Sequence, residues 1–324
     1  MKRLLLLFLL CMSLCGCSWR DAGDLSAVTA GAITRDDNGI YTLTAELAIP
    51  TAERATPDSI TITGQANNIA HAIDHAGAGR DTQLYWSHAR VMFLDTNILQ
   101  SGISQAVHDL TVSSEVRPSV RLCAVRGTSP KDIFSQKSVS GDPPGFALGD
   151  SMDLAIKQCQ TPDLALYRVL DRMESDGIDP IIPAVSVKDN LAVLDGSALF
   201  HDDKLCGWLD DAQTSTLCIL MQSGDSAAIY DNETRYKLTN IQTKILKNPC
   251  RIVLNADIAC ETTKQAKQAA NVLHKQCIDV LKLLQNVNCD ALGIQRITGQ
   301  NWRQHPIDVQ VTLRTTQSTE GGTR

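Results

Sequence analysis

The chain has 324 residues, and its 36 aspartate and glutamate residues outnumber its 30 lysine and arginine residues, which gives a formal net charge of −6 at pH 7. That length is sufficient for two or three domains, each with its own core. The acidic balance argues against nucleic-acid binding and against a basic surface that binds anionic lipids. After the first 16 residues, no apolar run approaches the roughly 20 residues of a membrane-spanning helix. The most compact apolar run, residues 217–221, predicts a buried strand or helix.

The first residues have the pattern of a secretory signal. Lys2 and Arg3 precede an apolar run over residues 4–14, which is too short to span a bilayer and has the length of a signal-peptide core. The run ends in the sequence LCGC, whose last residue is Cys17 and which resembles the bacterial lipobox. The resemblance implies that residues 1–16 are a lipoprotein signal peptide and that Cys17 becomes a diacylated lipid anchor. The alternative is an ordinary secretory signal with an incidental cysteine.

The elements that follow mix strands and helices without regular alternation. Residues 25–49 alternate apolar and polar side chains around the turn signal Asn38-Gly39, which predicts a β-hairpin. Further strands are predicted over residues 59–64, 89–95 and 120–127, and helices over 67–77, over 97–110 with Asn97 as the cap, and from Pro130. The Gly/Pro-rich stretch 138–150 predicts a loop, and residues 155–173 predict a helix.

The last third of the chain has the clearest periodicity. Residues 251–260 and 306–315 alternate without interruption and predict two strands. Between them, residues 263–287 predict a long amphipathic helix. Its apolar stripe contains Ala266, Ala270, Leu273, Cys277, Val280, Leu281 and Leu284. An antiparallel sheet packed against this helix would bury both the stripe and the apolar faces of the strands.

Together these elements predict an α+β protein of several domains, with mixed sheets and packed helices. Two β-strands joined at residues 201–203 begin the C-terminal part, and the main boundary is placed near Leu191. The predicted division is an N-terminal α+β region over residues 17–190, with two subdomains as an alternative, and a C-terminal α+β domain over 191–316. Residues 317–324 are expected to be a frayed tail.

Eight cysteines follow Cys17, namely Cys123, Cys159, Cys206, Cys218, Cys250, Cys260, Cys277 and Cys289. An even number outside the cytoplasm permits disulfides, whereas the absence of any CxxC spacing argues against a zinc ribbon or a thioredoxin-like site. Cys218 and Cys277 lie in apolar patterns and are interpreted as small core residues. Free buried thiols are the simpler interpretation, and one or more disulfides remain the alternative.

The search for chemistry in the sequence yields one weak candidate. His71 and His75 are four residues apart on a predicted helix, a spacing that zinc proteases use, but the sequence HAIDH lacks the glutamate of H-E-x-x-H. A solvated helix face is the alternative and the simpler interpretation. The sequence contains no phosphate-loop spacing and no G-x-S-x-G nucleophile motif. We therefore predict no catalytic, metal-binding or cofactor-binding residues, and the sequence does not indicate a ligand-binding set.

An ordered series of segments resembles the Ger(x)C family, the C subunits of spore germinant receptors. The series covers almost the whole chain after the signal, and its specificity lies in the shared order, since each segment alone is weak. It consists of Trp19 with RDAGDLSAVTAGAI, YTLTAELAIP, TGQANNIAHAID, LYWSHARVMFLDTNILQSGI, EVRPSVRLCAVRGTSPKDIF, DPIIPAVSV, LDGSALFHDDKLCGWLDD, TKILKNPCRIVLNADI, CDALGI and NWRQHPIDVQVTLRTT.

The resemblance implies a non-catalytic lipoprotein on the outer face of the spore inner membrane. Its partners would be a membrane-embedded A subunit and a permease-like B subunit, and the assembly would trigger germination in response to nutrients. No cofactor is implied. Two other classes remain as alternatives, an extracytoplasmic solute-binding lipoprotein of a transporter and a cell-surface hydrolase. The non-alternating order of elements argues against the first, and the lack of a nucleophile or metal motif argues against the second.

Overall fold

Two β-sheets, both covered by helices, make up the described part of the chain, which is residues 24–316 without 53–54, 114, 232–233, 300 and 305–306. The structure is a computed structural model. The predicted signal peptide, the anchor Cys17 and the tail 317–324 lie outside the described residues, and so these three assignments stay predictions. Within the described residues, no helix is long and apolar enough to cross a membrane.

The larger sheet is mixed. Its strands run in the order β3-β2-β1-β5-β6-β7-β8-β9, and β4 pairs with β1 beside this path. The inner strands β1, β5, β6 and β7 are parallel, whereas the outer pairs are antiparallel. The strands are β1 (Leu25–Arg35), β2 (Tyr41–Ile49), β3 (Asp58–Ala66), β4 (Gln83–Tyr85), β5 (Val91–Leu94), β6 (Arg121–Val125), β7 (Ile181–Lys188), β8 (Leu191–His201) and β9 (Lys204–Leu209).

Helices cover both faces of the larger sheet. One face packs against α4 and α5, and the other packs against α1, α2, α3 and α6. The helices are α1 (Ile69–Gly77), α2 (Thr96–Ser101), α3 (Ser104–Val112), α4 (Pro130–Phe134), α5 (Pro144–Lys157) and α6 (Leu166–Glu174). A short 3-10 helix follows β4 at Trp86–His88. Because both faces are covered, β5 is buried at all four of its residues.

The predicted hairpin over residues 25–49 is confirmed as β1 and β2. The turn between them closes with two backbone hydrogen bonds, from Asp36 N–H to the Ile40 carbonyl and from Gly39 N–H to the Asp36 carbonyl, both 3.0 Å long. Gly39 has a φ of 82°, a conformation that glycine adopts without steric cost. The turn therefore forms where the Asn-Gly signal predicted it.

The single helix predicted over residues 97–110 is wrong, since the chain forms two helices, α2 and α3. The first is capped by Asp95 rather than by the predicted Asn97, because the Asp95 carboxylate accepts the Ile98 N–H at 3.0 Å. Gly102 ends it with a φ of 124°, and the next N–H, that of Ile103, donates to the Asp203 carbonyl at 2.9 Å. A tertiary hydrogen bond thus replaces the helical one at this point.

The loop predicted over residues 138–150 and the helix predicted over 155–173 are also corrected. Helix α5 begins inside the expected loop, with Pro144 in its first turn, where proline loses no hydrogen bond. It ends at Lys157, and Pro162 prevents the helix from continuing directly into α6. The local composition indicated a loop because proline and glycine occur both at loops and at helix starts.

The smaller sheet has the order β10-β11-β12-β13. Its strands are β10 (Ser226–Asp231), β11 (Thr234–Leu246), β12 (Arg251–Ala259) and β13 (Asp308–Thr316). The helices of this part are α7 (Asp211–Met221), α8 (Thr263–Asn286) and α9 (Ile294–Thr298), with a 3-10 helix at Trp302–Gln304. The apolar run 217–221 therefore belongs to a helix.

The long C-terminal helix is confirmed as α8. Thr262 caps it in a capping box with Gln265. The predicted stripe is buried except that Ala269, not Ala270, occupies the second position. The helix packs on β10 and β13, so the predicted packing of helix on sheet is confirmed as well.

One pairing in the smaller sheet differs from the predicted antiparallel arrangement. Strands β12 and β13 are parallel, in a register that pairs Arg251 with Asp308. The connection between them contains α8, and a helical crossover of this length returns the chain in the same direction. The α+β class is confirmed, whereas the C-terminal sheet is mixed.

The predicted domain boundary lies within the larger sheet. Leu191, where the domain boundary was placed, is the first residue of β8, which pairs with β7 in the larger sheet. The larger sheet therefore contains residues from both sides of Leu191. A division of the chain into domains at this residue stays a prediction.

All eight cysteines after Cys17 are free thiols. Cys218 and Cys277 are fully buried, as expected for small core residues. Buried cysteines also occur at Cys123, Cys159 and Cys289, whereas Cys206, Cys250 and Cys260 are partly exposed.

Candidate functional site at the junction of the two sheets

A polar cavity of about 490 Å³ lies where the residues before β7, the β8–β9 turn and the segment between α8 and α9 meet. Its lining includes Arg172, Asp179, His201, Asp290 and Arg303. Two of these, Asp179 and Asp290, are buried carboxylates, at 7% and 2% exposure. Buried ionisable groups around a cavity are a common feature of functional sites, and so this cavity is a candidate functional site.

Asp179 connects three segments of the chain. One carboxylate oxygen accepts the Asp202 N–H at 2.9 Å, and the other accepts the Asp290 N–H at 2.6 Å. The backbone completes the link, since the Asp179 N–H donates to the Asp290 carbonyl at 3.0 Å. The side chain thus joins the start of β7 to the β8–β9 turn and to the segment after α8.

The Asp290 side chain also holds backbone N–H groups in place. Its two carboxylate oxygens accept the N–H groups of Ile294 and Gln295, each at 2.8 Å, at the start of α9. Burial raises the pKa of the Asp290 carboxyl, an effect opposed by these two hydrogen bonds and reinforced by the charge of Asp179. Each oxygen of Asp290 therefore accepts one backbone N–H.

Arg172 supplies the opposite charge and reaches the same junction from α6. Its guanidinium donates to the Asp179 carbonyl at 3.0 Å and to the Ala291 carbonyl at 2.9 Å. Burial lowers the pKa of this guanidinium, and the carboxylates of Asp290 and Asp179 oppose that shift. The side chain therefore joins α6 to the segment between α8 and α9.

Asp179, His201 and Asp202 are close enough together to be considered as ligands of a metal ion. The His201 Nδ1 lies 3.6 Å from a carboxylate oxygen of Asp179, but both oxygens of Asp179 already accept backbone N–H groups. Asp202 is exposed. A carboxylate that accepts a backbone N–H at each oxygen is suited to holding the backbone in place, and so the arrangement indicates a structural role for Asp179.

The structure does not bring the other sequence candidate, the pair His71 and His75, to this junction. Both side chains are exposed on α1. The Nδ1 of His75 lies 2.6 Å from the Gln65 carbonyl oxygen, and so it donates to the neighbouring strand. This is the arrangement of a solvent-facing helix surface. Cys17 lies outside the described residues.

Sequence reasoning missed the junction. Its residues stand in two segments, DGIDP around Asp179 and CDALGI around Asp290, to which no role was assigned. The sequence contained only a local signal, since asparagine and glycine, here Asn288 and Gly293, commonly mark turns. In the structure both residues have positive φ values, 63° and 66°. Nothing in the sequence showed that the two segments meet.

A second cavity, of about 700 Å³, lies between α5 and the start of β8 and is mainly apolar. Val139 and Leu154 border it, at 92% and 59% exposure. Its lining residues include no histidine and no cysteine. Apolar side chains exposed in this way are typical of surfaces that contact other molecules.

The family models and the solved structure that match this chain all belong to spore germination proteins. Residues 20–187 match the family model for the spore germination protein N-terminal domain, and residues 195–318 match the model "Spore germination B3/ GerAC like, C-terminal". A comparison with curated protein sequences gives no match. Among solved structures, the crystal structure of the GerBC protein is similar in fold, with a TM-score of 0.50 and 16% sequence identity over 88% of this chain and 96% of that one.

The two matched segments together cover most of the chain, and they follow each other in the order that the sequence segments indicated. The junction described above lies where they meet, since Asp179 belongs to the first and Asp290 to the second. The fold, with its mixed sheets and packed helices, agrees with that of the solved relative. The chain belongs to the Ger(x)C family of spore germination proteins.

Proposed function

We propose that this chain is a non-catalytic, lipid-anchored subunit of a spore nutrient germinant receptor. In this role it stands on the outer face of the spore inner membrane, held by Cys17. It acts with a membrane-embedded A subunit and a permease-like B subunit to trigger germination.

The observation that carries this proposal is the match to both family models, which extends from residue 20 to residue 318. The lipid anchor is supported by the LCGC sequence that ends the apolar run at Cys17. Two acyl chains hold a protein stably at a membrane, where a single chain gives only marginal binding. Tethering raises the effective concentration of the folded body toward membrane-embedded partners, and so modest contacts are sufficient for assembly.

The chemistry of the junction supports a role without catalysis. Each of the two buried carboxylates, Asp179 and Asp290, accepts one backbone N–H at each oxygen. Such hydrogen bonds stabilise the charged carboxylate and favour a structural use of the group. They hold the two matched segments in one arrangement, which is the requirement for a subunit that acts through its surface.

The test of the receptor role is deletion of the gene in a strain that carries this receptor alone, so that no related receptor compensates. Spores are exposed to single nutrients and then to a trigger that acts downstream of nutrient receptors. We expect loss of the response to one class of nutrient and a normal response to the downstream trigger. Reintroduction of the wild-type gene should restore the lost response. Normal germination with every nutrient would contradict the proposal.

A second measurement separates the receptor role from the enzyme alternative. The purified protein is assayed for hydrolysis of spore-surface polymers and esters. We expect no activity. Activity that disappears when one aspartate or glutamate is replaced would assign the protein to the hydrolases instead.

A further inference from the structure

Two cysteine thiols from distant parts of the chain meet at one peptide group. The Cys206 thiol donates to the Leu199 carbonyl, with 3.4 Å between sulfur and oxygen. The backbone N–H of Phe200, the other half of the same peptide group, donates to the Pro180 carbonyl at 3.3 Å, and it also faces the Cys289 sulfur, where it opposes the rise in the pKa of that thiol. The two thiols also perturb each other, since their interaction lowers the pKa of the Cys206 thiol and raises the pKa of the Cys289 thiol. Each sulfur is therefore within reach of the other in the folded protein.

An irregularity in the larger sheet directs Cys206 toward this position. In the pairing of β8 with β9, Leu199 is opposite Gly207 and Phe200 is opposite Leu205. Cys206 is therefore the extra residue of a β-bulge, which bends the strand and redirects the side chain.

Cys289 is held just as firmly from the other side. It follows Asn288, whose φ of 63° turns the chain away from α8, and its own N–H donates to the Leu284 carbonyl at 3.0 Å. A Cβ atom on Gly207 would lie 3.2 Å from a methyl carbon of Val287, and so β9 and the end of α8 approach closely here. The pairing of the two thiols therefore results from packed backbone on both sides.

The two thiols differ in accessibility and in acidity. Cys206 is partly exposed, whereas Cys289 is fully buried. The interaction with Cys289 lowers the pKa of the Cys206 thiol, and burial raises the pKa of the Cys289 thiol well above its ordinary value. Cys206 therefore has the properties of the thiol that reacts first, and Cys289 those of the thiol that completes the bond.

We propose that Cys206 and Cys289 are a redox-sensitive pair that forms a disulfide and locks the junction between the two sheets. The oxidant is a low-molecular-weight disulfide. The Cys206 thiolate attacks one sulfur of the oxidant and releases its first thiol, which leaves a mixed disulfide on Cys206. Cys289 then loses its proton and attacks the Cys206 sulfur, and the second thiol leaves. Two protein thiols are oxidised and one small disulfide is reduced to two thiols.

The bond would add a direct covalent link between two parts of the fold that are distant in sequence and meet through non-covalent contacts. Cys206 belongs to β9, the edge strand of the larger sheet. Cys289 follows α8, which packs on the smaller sheet, and it directly precedes Asp290 of the polar junction. The disulfide would therefore fix the two sheets relative to each other.

The test is oxidation of the full-length protein in detergent micelles with oxidised glutathione, followed by alkylation of the remaining thiols and peptide mass spectrometry. We expect a linked peptide pair that contains Cys206 and Cys289, and we expect dithiothreitol to reverse the link. In Cys289→Ser, glutathione should stay on Cys206 because the second thiol is missing. In Cys206→Ser, Cys289 should remain unmodified because it is buried.

Cys250→Ser is the matched control, since Cys250 is another partly exposed cysteine. This variant should form the Cys206–Cys289 link to the same extent as the wild type. Absence of the link in the folded wild-type protein would overturn the proposal. Modification of Cys250 in preference to Cys206, or a link from Cys206 to a cysteine other than Cys289, would overturn it too.

Discussion

Asp179→Asn tests whether the polar junction holds the two matched segments together. The substitution keeps the shape of the side chain but replaces one carboxylate oxygen by an NH2 group. In the wild-type protein, the two oxygens accept the N–H groups of Asp202 and Asp290, at 2.9 and 2.6 Å. The amide can accept only one of them, and so its NH2 group must face the other N–H as a second donor.

The size of the effect follows from these contacts. A hydrogen bond to a charged group contributes about 1.5–3 kcal/mol, and a buried donor without a partner costs about 1–3 kcal/mol. Asp179 is only 7% exposed, and so water compensates little of this loss. We expect the free energy of unfolding of the junction to fall by about 2–3 kcal/mol. This corresponds to roughly 30- to 150-fold faster opening-limited hydrogen exchange, since about 1.4 kcal/mol is a factor of ten.

Hydrogen exchange measured by mass spectrometry on the full-length protein localises the change. The faster exchange should appear in α9 and in the β8–β9 turn, with little change in α1. Asp176→Asn is the control, since Asp176 lines the same cavity but is exposed, and it should shift stability by less than about 0.5 kcal/mol. Equal exchange in the two variants would refute the assignment of Asp179 as the connection between the segments.

Three further changes test the core, a buried carboxyl and the anchor. Leu281→Asp should destabilise the C-terminal part by roughly 3 kcal/mol or more in urea titrations, because it would bury a charge at a position that is 3% exposed. Lys275→Asp, on the exposed face of the same helix, should change the stability little, and equal unfolding midpoints for the two variants would contradict the helix orientation. Burial raises the pKa of the Glu46 carboxyl above its ordinary value of 4.5, and so the stability that the protonated carboxyl contributes is lost as pH rises through the raised pKa. Glu46→Gln does not ionise, and its free energy of unfolding should therefore rise relative to that of the wild type as pH increases above 4.5; a difference that does not change with pH would count against this. Cys17→Ala should abolish fatty-acid labelling and membrane retention of the processed protein. Unchanged labelling of this variant would contradict the lipobox assignment.

Elements with one buried face were predictable from the sequence. The alternation in β12 and the stripe of α8 both follow from the burial of one side, and the structure differs from the predicted stripe only by Ala269 in place of Ala270. The direction of β13 relative to β12 was not predictable in this way, because the alternation of a strand is the same in parallel and antiparallel pairs. The start of α5 at Pro144 was missed because proline indicates both loops and helix starts.

The junction itself could not be derived from local patterns. Asp179 and Asp290 are 111 residues apart, and each stands in a segment that resembles an ordinary turn. What makes them a site is that two distant turns are packed against each other, so that the side chain of one supplies the acceptor for the backbone of the other. Only the tertiary structure contains that information, although the same segments were part of the ordered series that indicated the family.

The polar junction and the thiol pair act on the same contact between the sheets. Asp290, whose N–H is held by Asp179, is the residue directly after Cys289, and His201 at the β8–β9 turn follows the Leu199–Phe200 peptide that both sulfurs contact. Any motion that separates the two sheets at this point must therefore break the carboxylate–backbone hydrogen bonds and move the two sulfurs apart. The hydrogen bonds resist that motion in the reduced protein, and a disulfide would prevent it. In the receptor role proposed above, the relative position of the sheets is the property that such a junction would control.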